Sequence, residues 1–139
     1  MTGHTSFTKE AFAALRADGR PGPVHMLNLI RLRPQAAYGD GRAACGRESY
    51  AAYSRLSAPV LHELGGWIVW RGGFEQALVG PADTRWDIAF IAEYPSPAAF
   101  AQMFRSPLYR EAMVHRQAGV ADSCLIRFSA LPPGAGFAG

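Results

Sequence analysis

The chain has 139 residues, of which 49% are hydrophobic and 18% are charged. That length allows one domain with a substantial core and excludes two comparable ones, while the composition excludes a disordered chain. The formal net charge of +3 comes from 14 Lys and Arg residues against 11 Asp and Glu residues. Because the basic residues are scattered singly, they predict no nucleic-acid-binding stripe, and we expect no nucleic-acid partner.

The sequence carries no targeting segment and no metal-binding motif. No apolar run is long enough to cross a membrane, and the opening residues MTGHTSFTKE lack the apolar centre of a signal peptide. We therefore expect a cytoplasmic protein with no membrane partner. Cys45 and Cys124 show no CxxC spacing, and the histidines form neither HxH nor HExxH. These patterns predict free thiols and no metal site, and we expect no cofactor.

Periodic apolar positions in the first half predict a helix, a strand, a loop and a second helix. The first helix covers residues 6–17 and the strand covers residues 23–33. Both alternating sets of side chains in this strand are largely apolar, so both of its faces should be covered. Residues 34–46 lack periodicity and read as a loop, and helical spacing returns over residues 47–64.

The second half predicts three more strands and two short helices. A strand begins at Trp67, bends at Gly72-Gly73 and continues to Val79 before a turn leads into an antiparallel strand over residues 86–94. Ser96-Pro97 and Ser106-Pro107 are typical helix starts. They are followed by a last strand over residues 123–130.

The order of elements after the first helix is β-α-β-β-α-β, which predicts the ferredoxin-like α+β fold with an antiparallel sheet. We expect residues 1–22 to be a helical extension, residues 23–130 the single domain, and residues 131–139 a flexible tail rich in Pro and Gly. The helices of the ferredoxin-like fold can cover one face of the sheet, while the strands of this chain are apolar on both faces. A second copy of the chain, packed sheet to sheet, is the simplest cover, so we expect a homodimer.

Short motifs in a fixed order give the chain a family resemblance between Pro23 and Phe128. They are Met26-Leu27-Asn28-Leu29, Tyr50 with Tyr53, Gly65-Gly66, Trp86-Asp87, Tyr94-Pro95-Ser96, Ala99-Phe100, Met103, Ser106-Pro107 with Tyr109, His115-Arg116 and Asp122-Ser123. In this set the chain resembles the domain of unknown function 1330 family of the dimeric α/β-barrel superfamily. The resemblance implies a subunit that pairs sheet to sheet. Looser relatives include cofactor-free monooxygenases, haem-degrading enzymes, lactone isomerases and polyketide cyclases.

Candidate ligand-binding residues are an amide and three aromatic side chains. Asn28 is a polar residue on the apolar strand face of Met26 and Ile30, so it binds neighbouring backbone or points at a ligand. Tyr50 and Tyr53 share a helical face, where they are either core residues or hydroxyls that hold a phenol or enolate oxygen. Trp70 is either a core residue or a stacking surface for a planar ligand.

His115 and Asp87 are the candidate catalytic residues. His115 is a general-base candidate because its ordinary pKa is near neutrality, and its alternative role is a cation at a helix C-terminus. Asp87 is a base if an apolar pocket raises its pKa, and otherwise forms an ion pair with an arginine or caps an element.

These features suggest a small-molecule-binding protein but leave catalysis open. The first hypothesis is a cofactor-independent enzyme, similar to a monooxygenase, isomerase or cyclase, that acts on a hydrophobic or aromatic molecule between sheet and helices. The alternative is a non-catalytic ligand-binding or stress-associated dimer. A third possibility is a structural dimer whose core is filled.

Overall fold

The helices and strands follow each other in the predicted order. The computed structural model describes residues 3–139, which contain α1 (Lys9–Ala17), β1 (Val24–Leu32), α2 (Gly46–Glu63), β2 (Trp67–Gly73), β3 (Ile88–Tyr94), α3 (Pro97–Met103), α4 (Pro107–Gly119) and β4 (Val120–Phe128). Within this part of the chain, one four-stranded sheet has the order β2-β3-β1-β4, and every neighbouring pair is antiparallel. This architecture confirms the ferredoxin-like α+β fold class.

The two Ser-Pro pairs start helices as the sequence predicts. Ser96 Oγ accepts a hydrogen bond from the backbone N–H of Ala99 at 3.1 Å, and Ser106 Oγ accepts one from Tyr109 at 3.2 Å. Each hydroxyl satisfies a backbone donor that the helix itself leaves free. No loop separates α4 from β4, because the helix ends at Gly119 and the strand begins at Val120.

The prediction that the second strand continues to Val79 is wrong, because β2 ends at Gly73. The residues beyond it lead into a turn, where Leu78 and Val79 are 83% and 95% exposed. Pro81 offers no N–H for strand pairing. The register shift in β2 lies between Ile68 and Trp70 rather than at the glycine pair. This bulge changes which face the later residues of β2 occupy.

The helices cover one face of the sheet, which we call the covered face. From β1 it carries Val24, Met26, Asn28 and Ile30, and both Val24 and Ile30 are 0% exposed. The N-terminal helix α1 contributes Leu15 to the same core. Residues 131–139 form neither helix nor strand and are exposed.

The opposite face, which we call the open face, has no cover from residues 3–139. One row of apolar side chains crosses all four strands and consists of Trp70, Ile91, Leu27 and Ile126. Trp70 is 53% exposed and Ile126 is 42% exposed, while the two central residues are half-buried. The predicted second apolar face is therefore present, and it lies in solvent in the single subunit.

Candidate functional site

Two neighbouring cavities lie between the helices and the covered face. The larger has a volume of about 560 Å³ and lies between α2 and the strands β2 and β3. The smaller has a volume of about 340 Å³ and lies under α3 and α4, next to the segment that precedes α1. The residues that line both cavities are Tyr53, Phe90, Tyr94, Met103 and Tyr109. Because these side chains belong to both walls, the two cavities are adjacent at this cluster.

Tyrosine hydroxyls are prominent polar groups where the cavities are adjacent. Tyr53 Oη and Tyr109 Oη are 2.9 Å apart and share a hydrogen bond. The rings of Tyr50 and Tyr53 are neighbours on α2, with 5.3 Å between their centroids. The Tyr94 hydroxyl makes a weak contact of 3.9 Å with Met103 Sδ. The structure thus brings the two tyrosines predicted on α2 into one cluster with Tyr94 and Tyr109.

Burial raises the pKa of Tyr50, Tyr94 and Tyr109 above the ordinary value of about 10 for a tyrosine. Desolvation is the largest cause, because a poorly solvated site disfavours the charged phenolate, and the neighbouring Tyr53 adds to the shift. These three hydroxyls therefore stay protonated at neutral pH. They can donate hydrogen bonds to an oxygen atom of a ligand, but they do not act as general bases.

The smaller cavity has aromatic walls, one of which comes from residues 4–8, which we call the N-terminal strap. The Phe7 ring centroid lies 5.0 Å from the centroids of both Phe12 and Phe104, and 6.1 Å from that of Phe100. These rings meet edge to face or stacked, as aromatic side chains prefer. The strap therefore closes one side of the cavity with an apolar surface.

Hydrogen bonds hold the N-terminal strap to α4 and β4. The Thr5 carbonyl accepts from Arg116 Nη1 and from Gln117 Nε2, both at 3.0 Å. The His4 carbonyl accepts from Ser123 Oγ at 2.6 Å. Arg116 is 9% exposed and lines the smaller cavity beside the strap. A buried cation therefore stands at the polar end of an otherwise aromatic space.

Asn28 shares its strand face with Met26 and Ile30, as the alternation predicts, and in the structure this is the covered face of β1. Its side chain lines the smaller cavity, and its Nδ2 donates to the Met26 carbonyl at 3.1 Å. Its cross-strand neighbours are Phe90 and Leu125, which also line this cavity. Among the hydrogen bonds of residues 3–139, none uses the amide oxygen, which leaves it available to a ligand.

His115 lines neither cavity. Its Nδ1 and the Tyr38 hydroxyl are 2.6 Å apart, and the two rings meet edge to face with 5.6 Å between centroids. Tyr38 comes from the loop between β1 and α2, so this pair fastens the loop to α4. The structure places His115 on the outer side of α4, away from the tyrosine cluster.

Asp87 also lines neither cavity. Its Oδ2 accepts from the backbone N–H of Leu32 at 2.7 Å, and its Oδ1 accepts from Arg85 Nη2 at 3.1 Å. These bonds fix the end of β1 against the start of β3. This geometry matches the alternative role of an ion pair and a cap.

Trp70 lies on the open face, so the structure does not bring it to the cavities. The bulge between Ile68 and Trp70 inserts one residue, which puts Trp67 and Trp70 on the same face despite their odd separation. Strict alternation would have turned Trp70 towards the helices. Its ring instead packs beside Gly72 within β2.

Arginines are the site residues that sequence reasoning missed. Arg47, Arg55 and Arg71 line the larger cavity, and Arg116 lines the smaller one. Within residues 3–139, no Asp or Glu lines either cavity. The arginines are scattered in the sequence and gathered by the fold. Helical spacing offers a signal for Arg116, because Tyr109, Met113 and Arg116 recur at intervals of four and three along α4.

The fold and the cavities define a small ferredoxin-like α+β protein with space for a ligand beneath its helices. The chain belongs to the family described as Domain of unknown function (DUF1330), whose sequence model matches residues 45–127. This confirms the resemblance found in the short motifs. No functionally curated protein matches the chain.

Several solved structures share the fold. The RPA0582 protein of Rhodopseudomonas palustris, of unknown function, is 60% identical, with a TM-score of 0.91 over 95% of this chain and 100% of that one. A methylated RPA0582 protein is 62% identical, with a TM-score of 0.93 over 96% and 99%. SnoaB, a cofactor-independent oxygenase from Streptomyces nogalater, is 15% identical, with a TM-score of 0.54 over 83% and 99%. At that identity, SnoaB shows the fold alone.

None of the helices in residues 3–139 is both long enough and apolar enough to span a bilayer. The same part of the chain holds no group of three or more His, Cys, Asp or Glu residues placed to bind a metal ion.

Proposed function

We propose that the protein binds a hydrophobic or aromatic small molecule in these neighbouring cavities and acts on it as a cofactor-independent enzyme. The observation that carries this proposal is the aromatic space around Tyr53 and Tyr109. Volumes of about 560 Å³ and 340 Å³ fall within the range of roughly 300–1,000 Å³ that is usual for ligand sites. A protein with a purely structural role has no need of such unfilled space.

Tyr50, Tyr53 and Asn28 are the ligand-holding residues in this proposal, together with Tyr109. Protonated tyrosine hydroxyls donate hydrogen bonds, and they stabilise negative charge that develops on a phenol or enolate oxygen during proton transfer. The Asn28 amide oxygen accepts a hydrogen bond from a ligand hydroxyl. The apolar walls exclude water, which strengthens each of these polar contacts.

The reactions that suit this site need no resident cofactor. In an isomerase-like reaction, a base takes a proton from one carbon, the C–H electrons form a C=C bond while the π pair of a neighbouring C=O moves to its oxygen, and the proton is then returned to another carbon of the ligand. In a cyclase-like reaction, the C–H electrons form a C–C bond to a carbonyl carbon within the ligand, whose π pair moves to its oxygen and takes up the proton. In a monooxygenase-like reaction, a CH₂ group reacts with dissolved O₂. One oxygen atom replaces the two hydrogens, which leave with the other oxygen atom as water. SnoaB provides the analogy for the second reaction, at the level of fold.

His115 and Asp87 stay our predictions for the acid–base residues, and substitution tests them. If either group transfers the proton, His115→Ala or Asp87→Asn lowers turnover by about 10²-fold or more with ligand affinity unchanged. Their positions outside the cavities are the observation that favours the alternative, a ligand-binding dimer without turnover. Unchanged turnover in both variants removes these residues from the mechanism.

The functional unit in this proposal is a homodimer that pairs through the open face. Dimerisation would bury the apolar row that includes Trp70 and Leu27 and is exposed or half-buried in one subunit. A ferredoxin-like protein of Bacteroides fragilis, 12% identical with a TM-score of 0.52 over 78% of this chain and 97% of that one, is described as dimeric. Light scattering should therefore report twice the chain mass of 15.0 kDa.

Calorimetric titration with 2-naphthol tests the proposed binding, and oxygen uptake with anthrone tests the oxygenase reaction. We expect Tyr53→Phe to weaken 2-naphthol binding by about threefold to tenfold, because one hydroxyl partner is lost. Tyr38→Phe is the matched control, since Tyr38 lines neither cavity. Absence of 2-naphthol binding would contradict the proposed function. Binding without turnover of any ligand would favour the non-catalytic alternative.

A further inference from the structure

We infer that the ligand carries a carboxylate or similar acidic group, and that Arg116 binds this group inside the smaller cavity. The inference rests on the proposed function, because it assigns the class of ligand to the same site. It begins from a buried guanidinium, that of Arg116, which forms no ion pair with an acidic side chain of residues 3–139.

Arg116 is charged at any physiological pH, and only 9% of the residue is exposed. Such a buried cation is normally paired with a carboxylate. None of the ion pairs formed by residues 3–139 includes Arg116. Its neighbours are instead a carbonyl and a hydroxyl, which carry no full negative charge.

The guanidinium also has unused hydrogen-bond donors. It carries five N–H groups. Nη1 donates to the Thr5 carbonyl at 3.0 Å, and Nη2 makes a long bond of 3.5 Å to Ser123 Oγ. Within residues 3–139, no hydrogen bond uses Nε. The side chain that holds these donors lines the cavity, where a carboxylate could accept from them in pairs.

The charge around both cavities favours the same class of ligand. Arg47, Arg55 and Arg71 stand along the larger cavity, and no acidic residue of the described chain lines either one. All three side chains are exposed, so they attract an anion from solution rather than bind it firmly. Arg116 is the buried member of these four arginines.

The other walls of the smaller cavity indicate the chemical nature of the part of the ligand that does not contact Arg116. These walls include the apolar side chains of Phe7, Phe100, Phe104 and Met113, with Asn28 and Ser123 among the polar groups, and the volume of the cavity is about 340 Å³. Such walls suit an aromatic ring system and do not suit a strongly hydrated anion such as phosphate. An aromatic carboxylic acid places its ring against these walls and its acid group at Arg116.

A purely structural role for Arg116 makes a different prediction. In that role the guanidinium fastens the N-terminal strap through Thr5 and has no preference between charged and neutral ligands. The two roles are separated by a pair of ligands of nearly equal shape and different charge. We choose 1-naphthoate, which is anionic at neutral pH, and 1-naphthamide, which is neutral.

Calorimetric titration of both ligands against the full chain tests the inference. We expect the wild-type protein to bind 1-naphthoate at least about tenfold more tightly than 1-naphthamide. Arg116→Gln should remove this preference by weakening 1-naphthoate while leaving 1-naphthamide unchanged. Arg116→Lys should keep part of it, because the charge stays and the paired donors are lost. Arg105→Gln is the control, since Arg105 is exposed and lines neither cavity.

The outcomes distinguish this inference from the proposed function. Equal binding of the two ligands by the wild-type protein overturns the inference and leaves the proposed function standing. Equal weakening of both ligands by Arg116→Gln also overturns it, because that result indicates the structural role. If neither ligand binds and 2-naphthol also fails, both proposals fall. The wild-type comparison holds its meaning even if Arg116→Gln does not fold.

Discussion

The two faces of the sheet are built from the same four strands and differ in what lies against them. On the covered face, Val24 and Ile30 are 0% exposed beneath the helices. On the open face, Trp67 and Trp70 are 50% and 53% exposed. Both faces carry large apolar side chains, so the difference in their solvent exposure comes from the helices that pack on one face and not from the type of residue. Burial of the open face therefore needs a second molecule, and burial of the covered face does not.

The comparison also separates two kinds of polar group. On the open face, Glu93 accepts from Trp67 Nε1 at 2.8 Å and lies 2.9 Å from His25 Nε2, which links three strands. On the covered side, the tyrosine hydroxyls surround unfilled space. Polar groups on the open face therefore hold strands together, and several of those beneath the helices line the cavities.

An aspartate on the open face should have the largest effect. Leu29→Asp puts a charge in the centre of the proposed dimer interface, where desolvation costs several kcal/mol. We expect loss of the dimer in light scattering, with unfolded or aggregated protein. Val114→Asp is the control, because Val114 is 58% exposed on α4 and away from the sheet. A well-folded Leu29→Asp dimer would show that the open face is not the interface.

The second-largest effect should come from high pH, which we expect to destabilise the packing between the helices and the covered face. Burial in the folded state raises the pKa of Tyr50, Tyr94 and Tyr109. Their contribution to the free energy of unfolding is therefore fully present below pH ~10 and falls as the pH rises further. When all three tyrosine hydroxyls are protonated in the folded state and ionised in the unfolded state, the free energy of unfolding falls by about 4 kcal/mol per pH unit. Ultraviolet absorbance should show these tyrosines ionising together with unfolding, whereas in denaturant all tyrosines ionise near pH 10. Ionisation without unfolding would contradict this burial.

A methyl group at Gly46 tests how tightly the covered side is packed. A Cβ at this position would collide with the backbone carbonyl of Arg33, which cannot move freely. We expect Gly46→Ala to lower the free energy of unfolding by about 3 kcal/mol. Gly73→Ala is the matched control on the edge strand, where a Cβ meets no atom within 4 Å. Denaturant titration measures both, and equal effects would contradict the proposed difference in packing.

The smallest effect concerns the hydroxyl pair in the cavity. Tyr53→Phe leaves the Tyr109 hydroxyl without its partner, and we expect a loss of about 1–2 kcal/mol in the free energy of unfolding. The double variant with Tyr109→Phe should cost less than the sum of the single variants, since it removes both polar groups. Strict additivity in thermal unfolding would show that the two hydroxyls do not interact in solution.

Local patterns predicted most of the fold. Serine caps and strand alternation depend on neighbouring residues, so Ser96, Ser106 and the side occupied by Asn28 could be read directly. The bulge at Ile68–Trp70 could not, because an inserted residue changes the phase of a strand without a distinctive composition. The predicted bend at the glycine pair lies after Trp70, so it gave no sign that Trp70 turns to the open face.

The candidate site was less predictable, because it depends on contacts between distant residues. Tyr38 meets His115 across 77 positions, and no local pattern around either residue indicates that contact. Arg116 lies in the last turn of α4, a position that does not by itself indicate burial. Its burial depends on the strap near Thr5, which is 111 positions away.

The direct junction between α4 and β4 limits how this site can change during evolution. Gly119 ends the helix with no room for a side chain, and Val120 begins the strand without a connecting loop. An inserted residue would rotate α4 by roughly 100° relative to the sheet, moving Tyr109 and Arg116 out of the cavity. We therefore expect family members with different ligands to differ by substitutions along α4 and not by the length of this junction.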